Sequence, residues 1–163
     1  MKNDMTKFIV LLLLFAVAPL AVFSQKIKHV ILIGSDGFGS YAFQNAKIPN
    51  LRAMMNEGSW SLEARTVLPS SSAANWASMV MGAGPELHGY TTWGSKKPDM
   101  PARILDEYGM FPSVYSLLRK EKPDSEIGVI YEWDGSGYLF PKSAVNHDQN
   151  PDGDVAIANA ASN

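Results

Sequence analysis

His29-Val30-Ile31-Leu32-Ile33-Gly34, continued by Ser35-Asp36-Gly37, decides how the fold is read. The run is apolar and rich in β-branched side chains, the composition of a parallel strand covered on both faces. Gly34-Ser35-Asp36-Gly37 is turn chemistry, so the strand is predicted to stop there with Asp36 at its carboxyl tip. Open parallel sheets bind ligands beyond the carboxyl ends of their strands. A carboxylate at that place suits a metal ion, although the same residue could equally cap a turn.

Working outward, Pro49-Asn50 opens a short helix with Leu51, Met54 and Met55 at helical spacing, and Gly58 as its stop. Ser59 to Val67 alternates as a strand does, with Trp60, Leu62 and Ala64 on one side, and Pro69 ends it. Ala73 to Met81 reads as a helix presenting Trp76, Met79 and Val80 on one face, with Gly82 as its C-terminal cap. Gly84 to Pro101 is turn-rich and reads as a surface excursion. Pro112 opens a helix over Ser113 to Lys120, with Val114, Leu117 and Leu118 inward, and Ile127 to Tyr131 reads as a second buried strand. Strands alternating with helices predict an α/β fold, a mostly parallel sheet flanked by helices. A helix begins at Asp154, its expected cap, and no closing strand follows. The chain therefore reads as the N-terminal part of a longer domain, incomplete at its C-terminus.

Composition narrows the classes. The 163 residues are 46% hydrophobic and 18% charged, which is globular composition. Fourteen Lys and Arg against sixteen Asp and Glu give a net charge of −2, without the basic excess that nucleic-acid binding calls for. With no cysteine, disulfides, thiolate zinc sites and thiol nucleophiles are excluded. Lys2 and Lys7 precede an apolar run from Phe8 to Leu20, and Val22 and Ser24 stand where a signal peptidase reads. Residues 1–24 are thus expected to be a signal peptide, leaving 25–163 as an exported chain, periplasmic or secreted. An uncleaved anchor is the alternative, but a span of about 16 residues is near the lower limit for a bilayer, so no membrane span is expected after cleavage.

Ser72 precedes the predicted Ala73–Met81 helix, where it could cap the helix or act as a nucleophile facing the positive end of the dipole. Asn75, one turn on, could donate its amide to a phosphoryl oxygen or simply be exposed. His88 in Pro85-Glu86-Leu87-His88-Gly89 is a lone histidine in a turn, and Asn150-Pro151-Asp152-Gly153-Asp154 reads as a turn and helix cap rather than a calcium loop.

Taken in order, Val30-Ile31-Leu32-Ile33-Gly34-Ser35-Asp36-Gly37, Ile48-Pro49-Asn50-Leu51, Leu68-Pro69-Ser70-Ser71-Ser72-Ala73-Ala74-Asn75 and Gly82-Ala83-Gly84-Pro85-Glu86-Leu87-His88-Gly89 form a linked set. This set resembles the type I phosphodiesterase/nucleotide pyrophosphatase branch of the alkaline phosphatase superfamily. The resemblance implies an alkaline-phosphatase-like fold and hydrolysis of a small-molecule phosphodiester or nucleotide pyrophosphate with two Zn2+ ions. It makes Asp36 a zinc ligand, and Ser72 both the nucleophile and a ligand of the zinc that activates it. Asn75 becomes the donor to a phosphoryl oxygen, and His88 part of a structural turn. The chain departs from the family pattern in carrying Ala73-Ala74 where Phe-Pro is frequent and Gly39 where Arg is common. The family's remaining Asp and His ligands have no counterpart between Tyr131 and Asn163, so the chain as it stands is expected to be inactive alone. Two further readings share the fold: an exported binding domain without catalysis, and a sulfatase or phosphomonoesterase relative. The sulfatase lacks its Cys/Ser-x-Pro-x-Arg pattern here.

Overall fold

A computed structural model describes residues 27–162; the predicted signal peptide, residues 1–24, lies outside the described residues. Residues up to Ser35 and residues from Asp36 onward form two separate units.

In the first unit, the described residues 27–35 run without regular secondary structure, so the predicted strand at 29–34 is not formed. Val30, Ile31, Leu32 and Ile33 are 66–85% exposed. Propensity alone does not make a strand; a ladder needs a neighbour, and among the described residues none pairs with this run.

The second unit is α/β, with five helices and a two-stranded parallel sheet among its described residues. Helix α1 spans Pro49–Glu57, with proline in the first turn and Gly58 closing it in extended backbone. The strand expected over 59–67 is absent: the segment is irregular, with Trp60 and Leu62 exposed. Alternation is present there, but no sheet surface lies beneath it for one side to bury against.

Helix α2 spans Ser72–Met81 and closes on Gly82, whose φ of 62° is the left-handed cap that glycine adopts freely. Its buried face is Ala73, Ala74, Ala77 and Met81, while Met79 is exposed, so the predicted face is rotated. Small alanines allow the helix backbone to sit close to its neighbours, and that density outweighs the bulkier stripe the spacing suggested. Around Ala77 and Met81 gather Tyr90, Phe111 and Leu139, with Trp76 and Val80 packed against them.

The stretch from Gly84 to Pro101 is no surface excursion. It opens with the short helix α3, Pro85–His88, and contributes His88 and Tyr90 to the interior. Gly89 turns the chain with a φ of 82°, and any side chain there would strike the Met100 carbonyl. Its own carbonyl accepts from the backbone N–H groups of Asp99 (2.8 Å) and Met100 (3.1 Å).

Helix α4, Val114–Glu121, starts at a reciprocal capping box in which Ser113 and Ser116 bond each other's backbone N–H. Ser116 is buried on it, whereas Val114 and Leu117 are about half exposed, against the inward assignment made from spacing. Strand β1, Gly128–Ile130, pairs in parallel with β2, His147–Gln149, with Val129 opposite Asp148. Arg119 ties α4 to this layer: its guanidinium donates to the carbonyls of Ala144 (2.9 Å) and Ser125 (3.0 Å), and also to the Pro123 carbonyl and Asn146 Oδ1. Helix α5, Asp154–Ser162, packs on β1, with Asp154 as its first helical residue rather than its cap.

Candidate functional site

The turn at 36–37 and the start of α2 bring together two of the three predicted site residues. Ser72 Oγ donates to Asp36 Oδ2 at 3.1 Å across 36 positions of sequence. Asp36 does not sit on a strand tip, since no strand precedes it among the described residues. It sits in a turn whose Gly37 takes a φ of 70° and whose N–H donates to Asp36 Oδ1 at 2.8 Å. The carboxylate is exposed and the Ser72 side chain half-buried, so both oxygens are within reach of a ligand.

Ser72 is the first residue of α2, and Ser71, not Ser72, occupies the cap position, in extended backbone and without a side-chain capping bond. The Ser72 hydroxyl is therefore free of capping duty and turned toward Asp36. It lies beside the first-turn N–H groups, at the positive end of the helix dipole, where developing negative charge is favoured. Asn75 faces the other way, onto the segment leading into the helix. Its Oδ1 accepts from Val67 N–H at 2.8 Å, and its Nδ2 donates to the Ser71 carbonyl at 3.0 Å. The Val67 and Pro69 carbonyls share the second amide hydrogen at 3.5 and 3.4 Å, both weak contacts. The amide thus fastens residues 67–71 to the helix and keeps one loosely held hydrogen.

Trp76 completes the site and was missed when it was assigned only to the core. Its Nε1–H donates to the same Asp36 Oδ2 at 3.3 Å. Its place four residues after Ser72, on the same helix face, was the available signal.

His88 closes the short helix α3 with its side chain inside the fold. It is 0% exposed. Its Nδ1 accepts from Tyr90 N–H at 3.1 Å, so Nε2 bears the proton and donates to Ser78 Oγ at 2.9 Å. Ser78 in turn donates to the Ala74 carbonyl at 2.8 Å. A histidine in this tautomer cannot take a proton from Ser78, which excludes that pair as a nucleophile and base. Burial pushes the His88 pKa down, with Glu86 opposing weakly.

Asp99 organises the loop after α3. Its Oδ2 accepts from Thr91 N–H and Oγ1 (2.8 and 2.9 Å), Thr92 N–H (2.9 Å) and Ser95 Oγ (2.8 Å). The Thr91 N–H first, then Ser95, Thr92 and the Thr91 hydroxyl, hold this carboxyl well below the usual carboxylate range. Beyond the ends of β1 and β2 lies an open cleft of about 470 Å³, lined by Glu132, Trp133, Asp134, Asn150, Pro151 and Asp152. None of the predicted site residues lines it.

Asp36 and Ser72 offer two adjacent hard oxygens, which fits part of a metal's ligand set. A catalytic zinc takes three protein ligands, and among the described residues no three His, Cys, Asp or Glu converge.

Residues 30–104, the N-terminal part of the chain, match the family model of type I phosphodiesterase / nucleotide pyrophosphatase. The matched segment contains Asp36, Ser72 and Asn75, and it is the family that the four linked motifs resemble. No curated protein and no solved structure matches the chain.

Proposed function

We propose that this chain carries the nucleophile-bearing part of an exported hydrolase that cleaves small-molecule phosphodiesters or pyrophosphates, within an alkaline-phosphatase-like domain. The observation that carries the reading is the 3.1 Å hydrogen bond from Ser72 Oγ to Asp36 Oδ2, made inside the family-matched segment. A free serine is a weak nucleophile and needs a group that directs and accepts its proton. The hydrogen bond from Ser72 Oγ to Oδ2 supports Asp36 in that part.

In the step proposed, Ser72 Oγ bonds to phosphorus as the bond to the leaving oxygen breaks in line. The hydroxyl proton passes toward Asp36, and water later cleaves the phosphoserine. The α2 N-terminus offsets charge on the non-bridging oxygens, and Asn75 would reach one of them by turning its second amide hydrogen away from the Val67 and Pro69 carbonyls. Zinc, which the family reading implies, would be held by Asp36 and Ser72 and would supply Lewis-acid stabilisation of the charge on phosphoryl oxygens.

Turnover of bis(4-nitrophenyl) phosphate by the complete domain that contains this chain, with zinc supplied, tests the reading. Ser72→Ala is expected to lower kcat by at least about 10³ while the helical circular dichroism is retained. Near-parental activity in Ser72→Ala overturns the nucleophile assignment, and a complete, folded domain with no turnover and no phosphoserine supports instead a binding domain of the same fold.

A further inference from the structure

We propose that Trp76 is a positioning residue: its indole N–H locks the Asp36 carboxylate in the orientation that receives the Ser72 hydroxyl. The inference rests on the hydrolase reading above and extends it to a residue outside the family-derived site.

The geometry is that of two donors on one oxygen. Ser72 Oγ and Trp76 Nε1 stand one helical turn apart on α2, and both donate to Asp36 Oδ2, at 3.1 and 3.3 Å. The other carboxylate oxygen accepts from Gly37 N–H at 2.8 Å. Asp36 is otherwise exposed, with no strand before it among the described residues, so apart from the Gly37 N–H nothing of its own turn holds its rotamer. Trp76 can fix it, because its ring is anchored against the cluster of Ala77, Met81, Tyr90, Phe111 and Leu139. A ring held by the core and an N–H turned to the surface transmit the rigidity of the interior to an exposed carboxylate. Loss of the N–H leaves Oδ2 with the serine alone and the carboxylate held otherwise only through Oδ1 by Gly37 N–H, so its orientation toward the serine loosens.

The experiment uses the full chain labelled with 15N, and Trp76→Phe, which keeps an aromatic ring in the core but removes the donor. Amide exchange at Gly37 should rise about five- to tenfold in Trp76→Phe, the worth of one hydrogen bond. Exchange at Gly82, whose N–H bonds the Ser78 carbonyl at the far end of the same helix, should stay unchanged. A merely structural role for the ring would move both. In the parent, the Trp76 indole resonance should shift upfield in Asp36→Ala. In the complete domain, turnover of bis(4-nitrophenyl) phosphate by Trp76→Phe should lose about tenfold in kcat, with KM within about twofold. An indole resonance unmoved by Asp36→Ala, or Gly37 exchange unmoved by Trp76→Phe, overturns the inference. Activity surviving Ser72→Ala sinks the assignment of Ser72 as nucleophile instead, and the exchange measurements, which need no turnover, tell the two failures apart.

Discussion

At the scale of single residues, His88 shows how burial converts a titratable group into a structural one. Its folded pKa is lowered below the ordinary value of 6.5 by desolvation, so below that value the unfolded chain binds the extra proton first. Stability from the neutral His88 is therefore present above pH 6.5 and is lost as the pH falls through the folded pKa. Thermal melts should show Tm declining on acidification below about pH 6.5, and His88→Gln should flatten that decline at the cost of a lower Tm at neutral pH. Asn75 makes a different case. Asn75→Ala removes both the Val67 contact and the available amide hydrogen, and is expected to cost on the order of 10²–10³ in kcat. Protease cleavage within 67–71 should speed up in the same variant, since its fastening to the helix is gone. The hydrogen bond between Asp36 and Ser72 was anticipated only as shared membership of one site. What holds the carboxylate, the indole four residues further on, was hidden because an aromatic on a helix face reads first as core.

Among elements, α4 depends on two devices. The first is the Ser113–Ser116 capping box, legible in part because Pro112-Ser113 announces a helix start. The second is Arg119, whose guanidinium spans from α4 to the carbonyls of Ala144 and Ser125. Arg119→Ala should destabilise the fold by about 2 kcal/mol, because a charged donor set is lost and several carbonyls are left to water, and urea unfolding measures this. Arg119→Lys should recover little, as a point ammonium cannot reach acceptors on several sides at once. In the loop after α3, the depressed Asp99 carboxyl contributes stability above its unfolded pKa of 3.8. That contribution should vanish only as the pH falls through the still lower folded value. Asp99→Asn should remove this acid-side component and raise hydrogen exchange at Thr91 and Thr92.

For the whole molecule, the apolar run at 30–33 is the largest liability. Val30, Ile31, Leu32 and Ile33 stand exposed as a short β-prone segment with no ladder partner among the described residues. Such a segment invites strand pairing between copies. Sedimentation of the purified chain should show self-association, and Ile31→Lys together with Ile33→Lys should abolish it without lowering the melt of the second unit. Unchanged association in the double variant would mean that another surface is responsible.

Local chemistry determined what the sequence could announce unaided. Pro49, Pro112 and Gly82 punctuate helices through φ restriction and left-handed freedom, properties of the residue rather than of its surroundings. Within the Ile127–Tyr131 run a strand forms over Gly128–Ile130, half-buried rather than buried, and the order of motifs from Val30 to Gly89 resembles the family whose model matches residues 30–104. Tertiary structure decided the rest. Val30–Ile33 and Ser59–Val67 have strand chemistry but no strand, because a ladder depends on a neighbour that no local pattern contains. Helix α2 buries Ala73, Ala74, Ala77 and Met81 and keeps Trp76 and Val80 of the expected stripe packed against the core, while Met79 is left exposed because the face turned inward is centred on small residues. Asp36, Ser72 and Trp76 meet because the chain folds the 36–37 turn onto the start of α2, and spacing along the chain records nothing of that approach.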